Sequence, residues 1–223
     1  RRLADHAMQA DGTRGPLAAW AADSPRPVRA VAGVANPEPF FEGLRAAGGT
    51  ITVEQWLTRI TGLSGFRQRV RDELGVDVSD TEWAAIHASE TAALAAVRAV
   101  PGMADVASAT PVPRCVASSS GLERLHRTLA TAGLRDLFVP HIYSAEQVTR
   151  GKPAPDLFLH AAASLAVAPA MCVVVEDSLH GIEAAKAAGM SVVAFAGGSH
   201  IVPAVRERLA RAGADAVAED ADA

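Results

Sequence analysis

The chain has 223 residues, 49% of them hydrophobic and 21% charged, enough for one sizeable α/β core and a small second domain. Its formal net charge of −4 excludes the basic footprint of a nucleic-acid binder or of a protein held on an anionic membrane. No apolar run approaches membrane-spanning length, so a soluble cytoplasmic protein is expected.

Residues 1–36 mix Gly, Pro, Ala and Arg without a period and show no strand-like apolar run. The character changes at Phe40. Phe40 to Gly49 predicts a helix closed by glycine, and further helices follow over Val53 to Ile60, Phe66 to Leu74 and Asp80 to Val100. Asp77 or Ser79 could cap the last of these, and Pro101-Gly102 ends the helical stretch.

Strands and helices then alternate. Arg114 to Ala117 predicts a strand, Gly121 to Ala132 a helix, Phe138 to Tyr143 an extended segment and Pro153 to Val167 a helix begun by proline. Met171 to Val175 is a central strand, Leu179 to Ala188 a helix and Ser191 to Phe195 a strand; Pro203 to Ala212 is a last helix, and Asp215 to Val217 an edge strand. Asp220 to Ala223 is expected to fray. This order predicts a doubly wound parallel α/β sheet with right-handed crossovers. The expected domains are a poorly readable start of the core over 1–36, a small helical domain over 37–99 and the main core over 100–223. Cys115 and Cys172 fall in core strands as small buried hydrophobes.

Two runs stand out. Lys152 lies in Gly151-Lys152-Pro153-Ala154-Pro155-Asp156, and Val173-Val174-Val175-Glu176-Asp177-Ser178 follows after one helix. Lys152 and Lys186 are the chain's only lysines, and the first is fixed between glycine and two prolines. Acids at the carboxyl end of a buried parallel strand lie where doubly wound folds hold ligands. Paired carboxylates suit a hard divalent cation, and a nearby lysine suits a phosphoryl oxygen. One carboxylate alone would be explained by Asp177 capping the next helix. Ser118, between a strand and a helix start, offers a hydroxyl and backbone N–H groups to an anion, or is a plain helix cap. His141, His160, His180 and His200 show no metal-ligand spacing.

Val116-Ala117-Ser118-Ser119-Ser120, the Gly151–Asp156 run, and Glu176-Asp177-Ser178 with Gly181-Ile182-Glu183-Ala184-Ala185-Lys186-Ala187-Ala188-Gly189-Met190 together resemble the haloacid dehalogenase superfamily, in its β-phosphoglucomutase-like phosphatase branch. The likeness runs from about Phe40 to Val202. It implies a Rossmann-like core with a helical cap, and Mg²⁺-dependent hydrolysis of a small phosphorylated metabolite through an aspartyl-phosphate. By the same resemblance Ser118, the backbone of Ser119 and Lys152 hold the phosphoryl group. Asp177 takes the metal, and Glu176 belongs to the metal shell or pairs with Lys152. Gly62 and Ser64 form a cap turn that reaches the substrate. The family's first motif is an aspartate nucleophile, an acid-base aspartate two residues later, then Gly-Thr or Gly-Val.

That first motif departs from the pattern. Its nearest match is Gln9-Ala10-Asp11-Gly12-Thr13, with Asp11 as acid-base and metal residue but Gln9 in the nucleophile's place. An amide is a poor nucleophile, so turnover is expected to be impaired. Either the chain is a catalytically dead relative or its first 35 or so residues do not represent the true gene product; the return of pattern at Phe40 favours the second. Gly65 and Gly121 stand where the mutases of this branch carry basic residues, which favours a phosphatase. The alternatives are a non-catalytic phosphate-binding module and a sugar-phosphate mutase. A monomer or weak dimer without nucleic-acid or membrane partners is expected.

Overall fold

The computed structural model describes residues 7–9, 14–15, 28–31, 66–75, 77–109, 111–198, 201 and 203–220. The described strands are β1 (Ala7–Gln9), β2 (Arg14–Gly15), β3 (Val28–Val31), β4 (Arg114–Ser118), β5 (Ile142–Ser144), β6 (Cys172–Glu176), β7 (Ser191–Phe195) and β8 (Ala216–Ala218). They form one sheet in the order β2-β1-β8-β7-β6-β3-β4-β5. Every pair from β8 across to β5 is parallel, whereas β1 pairs antiparallel with both β2 and β8. From β3 the chain runs outward through β4 to β5, then returns to β6 on the other flank of β3. That reversal makes a crevice at the carboxyl ends of β3 and β6.

The central strands are valine-rich because both faces are covered. Every residue of β6 and β7 is buried, and β-branched side chains suit a pleated surface enclosed on two sides. Met103 of helix α3 (Met103–Ala109) joins Val173, Val175, Val193 and Phe195 in one apolar cluster. Phe158, Leu157 and Ala161 of the helix over Asp156–Ser164 join Val174, Val192 and Ile182 in another. Cys115 and Cys172 are buried free thiols, and burial pushes the Cys115 thiol up to about 12. Neither should react with an alkylating reagent at about pH 8 in the folded protein, while both should label once it is unfolded. Labelling of the native protein would show that β4 or β6 opens.

Helices α1 (Phe66–Leu74) and α2 (Asp80–Leu94) precede α3. Ser79 caps α2: its hydroxyl accepts from the Glu82 N–H at 3.3 Å while the Glu82 carboxylate accepts from the Ser79 N–H at 2.9 Å. Asp77 instead pairs with Arg71 at 2.7 Å. Helix α2 stops at Leu94, short of the expected Val100.

Beyond α3 come α4 (Leu122–Thr131), α5 (Arg135–Phe138), α6 (Asp156–Ser164), α7 (Leu179–Ala187) and α8 (Pro203–Arg211). Gly133 and Gly189 close α4 and α7 at φ +71° and +73°, a backbone state that favours glycine. At both ends the next residue's N–H donates five residues back, Leu134 to the Leu129 carbonyl and Met190 to that of Ala185.

Three expectations need correction. Phe138 ends a helical turn rather than opening a strand, which starts only at Ile142. Ala216–Ala218 is not an edge, because β1 covers it. The unreadable start of the chain contributes three strands, and β3 fills the sheet's centre. The helices expected over Phe40 to Gly49 and Val53 to Ile60, and residues 221–223, lie outside the described residues.

Candidate active site

Lys152, Glu176 and Asp177 meet at the carboxyl ends of the central strands, all buried, at 3%, 1% and 4% exposure. The Lys152 ammonium donates to Glu176 Oε2 at 2.8 Å and to the Ala117 carbonyl at 3.3 Å. It also lies 4.7 Å from the centre of the Phe158 ring. Ala117 belongs to β4 and Glu176 to β6, so this side chain bridges the two strands that flank β3. An ammonium has three N–H donors, and two are used among the described residues.

Glu176 is held on its other side as well. Its Oε1 accepts from the Ser178 N–H at 3.1 Å and from the Ser178 hydroxyl at 2.7 Å. Burial pushes the Glu176 carboxyl above its ordinary value, with Lys152 pulling it down and Asp177 adding to the rise. Its oxygens are therefore engaged by Lys152 and Ser178, which makes pairing with the lysine its visible role. Asp177 does not cap α7. Ser178 does, accepting the Gly181 N–H at 3.1 Å.

Gly181 leaves room for this arrangement: a Cβ there would overlap the Glu176 side chain. Gly181→Ala should displace that carboxylate and cost about 1–3 kcal/mol, measured by urea unfolding. An unchanged midpoint would show that Glu176 can relocate freely.

Ser118 ends β4 in register with Ser144 of β5. Its hydroxyl accepts from the Ser120 N–H at 3.2 Å, folding Ser118-Ser119-Ser120 into a compact loop before α4. The Ser144 hydroxyl fixes that loop from the far side, donating to the Ser120 carbonyl at 2.7 Å. The loop carrying Lys152 is braced too, by a two-pronged contact from Arg150 to Asp156 at 2.7 and 3.1 Å.

The structure thus brings Ser118, Lys152, Glu176 and Asp177 to one edge of the sheet. It does not bring Gln9 there. Gln9 ends β1, which is separated from β6 by β8 and β7 and runs antiparallel to β8. Asp11, Gly62 and Ser64 lie outside the described residues, as does His200. His141 accompanies Tyr143, its Nδ1 3.1 Å from the phenol oxygen, and His160 packs edge-on against the same ring. What the sequence did not signal is β3. Val31 pairs with Val175, one residue short of Glu176, and the residues after it are Ala32, Gly33, Val34, Ala35 and Asn36, with no acid among them.

No group of three potential metal ligands occurs among the described residues. Asp177 is the second strand-end carboxylate, next to Glu176 and likewise buried. It fits Mg²⁺ in part, since that ion keeps several waters and is often held by one or two carboxylates plus substrate phosphate.

A family model for haloacid dehalogenase-like hydrolases matches residues 11–189. The chain belongs to that family. As a haloacid dehalogenase-like hydrolase it is 28% identical over 166 residues to 6-phosphogluconate phosphatase of Escherichia coli (strain K12), across 73% of this chain and 75% of that one. Among solved structures it is similar to a conserved haloacid dehalogenase-like protein of unknown function from Agrobacterium tumefaciens. That likeness has a TM-score of 0.75 and 34% identity, over 88% of this chain and 95% of that one. A family hydrolase from Deinococcus radiodurans, with bound phosphate and sodium, is similar at a TM-score of 0.67 and 30% identity, over 87% of this chain and 91% of that one. No helix among the described residues of this hydrolase is long and apolar enough to cross a membrane.

Proposed function

We propose that the site binds the phosphoryl group of a small phosphomonoester, of the sugar-phosphate kind, and that the fold is built for its hydrolysis. The observation that carries this reading is Lys152, a buried ammonium stretched between β4 and β6 beside the Ser118 loop. Phosphoryl transfer asks a protein mainly for positioning and charge, and these residues offer both. Ser118 and its loop would take two phosphoryl oxygens, and the third donor of Lys152 another. Asp177 would hold Mg²⁺, which when bound neutralises phosphate charge. Glu176 holds the Lys152 ammonium in place. Residues 37–99 would form the cap that closes over the substrate, with Gly62 and Ser64 reaching in.

The nucleophile is the part that does not fit. An aspartyl-phosphate needs a carboxylate between the ends of β4 and β6, where β3 ends, and residues 32–36 supply none. That supports the second reading, of a phosphate-binding module with little or no turnover. Titration with orthophosphate tests the site, and release of phosphate from sugar phosphates with and without Mg²⁺ separates the two readings. Absence of orthophosphate binding would overturn both. Efficient interconversion of glucose 1- and 6-phosphates would instead show a mutase.

A further inference from the structure

Glu146 follows β5 and has no part in the chemistry described so far. Its Oε2 accepts the Leu122 N–H, the first of helix α4, at 2.9 Å. The residue before that, Gly121, provides no side-chain cap, and a Cβ there would lie 2.7 Å from Glu146 Oε1. Glycine at 121 therefore makes room for a carboxylate delivered from another part of the chain.

The delivery is fixed by Ser144, which is fully buried. Its hydroxyl accepts the Glu146 N–H at 3.2 Å and donates to the Ser120 carbonyl at 2.7 Å. One serine thus ties the Ser118–Ser120 loop to the carboxylate docked beside it. The N–H groups at a helix start attract anions, and here that end already holds one. Glu123, in the first turn of α4, is 94% exposed and reaches toward Arg127, so it does not fill the place.

We propose that Glu146 is a selectivity residue: by occupying the amino end of α4 beside the Ser118–Ser120 loop, it confines the site to one phosphoryl group and turns away ligands carrying a second. The proposal rests on the phosphate reading of Ser118 and Lys152. Calorimetric titration of the full chain with orthophosphate and with pyrophosphate, at fixed ionic strength, tests it in the wild type, Glu146→Gln and Glu146→Ala. Gln keeps an acceptor for the Leu122 N–H and removes only the charge. Orthophosphate affinity should stay within twofold in both variants, while the affinity for pyrophosphate relative to orthophosphate should rise roughly fivefold in Gln, as for one charge at a helix end, and further in Ala. If both anions weaken in parallel, or the ratio stays at the wild-type value, Glu146 is only a loop brace and the proposal is wrong. A wild type that binds no orthophosphate overturns the phosphate reading itself, and this proposal with it.

Discussion

Lys152→Met should lose orthophosphate binding and, separately, lose stability. Removing one member of a buried charged pair costs about 2–5 kcal/mol of affinity for a partner that needs it, much of it from the charge left behind. Here the group left behind is Glu176, 1% exposed. The fold should therefore weaken by about 3–5 kcal/mol near neutral pH. Glu176 already holds its proton above the ordinary value of 4.5 because burial disfavours its charge. Without the ammonium that rise grows. A carboxyl whose native value exceeds its unfolded one stabilises the fold at low pH, and loses that contribution as pH climbs from 4.5 through the raised value. The variant should thus approach wild-type stability in acid and fall away toward neutrality. Lys152→Met with Glu176→Gln should regain most of the stability at all pH values yet still bind no phosphate. If the double variant binds orthophosphate as the wild type does, the anion site lies elsewhere.

The second large effect concerns turnover. The chain should release phosphate from sugar phosphates very slowly or not at all, with or without Mg²⁺, because residues 32–36, which follow β3, carry no carboxylate, and positioning without one there forfeits in-line attack. Gln9→Asp should leave that rate unchanged, since Gln9 ends a strand beyond β8, away from Lys152. Ala32→Asp with Val34→Asp places the Asp-x-Asp spacing directly after Val31, which pairs with Val175. That double substitution should produce Mg²⁺-dependent turnover several orders of magnitude above the wild type. A rapid, Mg²⁺-dependent wild type would show that the nucleophile is elsewhere.

Much of the second half of the fold was legible because its signals agree. The strand over Ser191–Phe195 falls where an apolar run puts it, and in the first half the helix over Phe66–Leu74 falls where helical spacing does. Glycines mark the ends of α4 and α7, and an all-apolar run marks β6. Strand β3 was hidden for physical reasons. It is four residues long, interrupted by Arg29, and enclosed by neighbours that pattern alone does not reveal. β1 and β2 are shorter still. Phe138 looked extended because Leu137-Phe138-Val139 is apolar, yet Leu137 and Phe138 lie in one helical turn packed with Ile142 and Leu129, while Val139 is exposed. In the site, Lys152, Glu176 and Asp177 were readable from their motifs. The Ser144–Glu146 tie was not, because it joins residues 24 positions apart and has no sequence signature.

The position of β3 has a consequence for how the protein is made. Arg29 pairs with Arg114 on one side and Val173 on the other, so the strand emerges early from the ribosome and waits for both neighbours. Until it docks, β4–β5 and β6–β7–β8 are two half-sheets with an open seam between them, Ser118 on one bank and Asp177 on the other. A lesion in residues 28–31 that keeps the strand from docking would remove the strand pairing that joins the two halves. Such a chain would expose two bare strand edges, and quality control in the cell would meet it as an aggregation-prone intermediate rather than as an inactive enzyme.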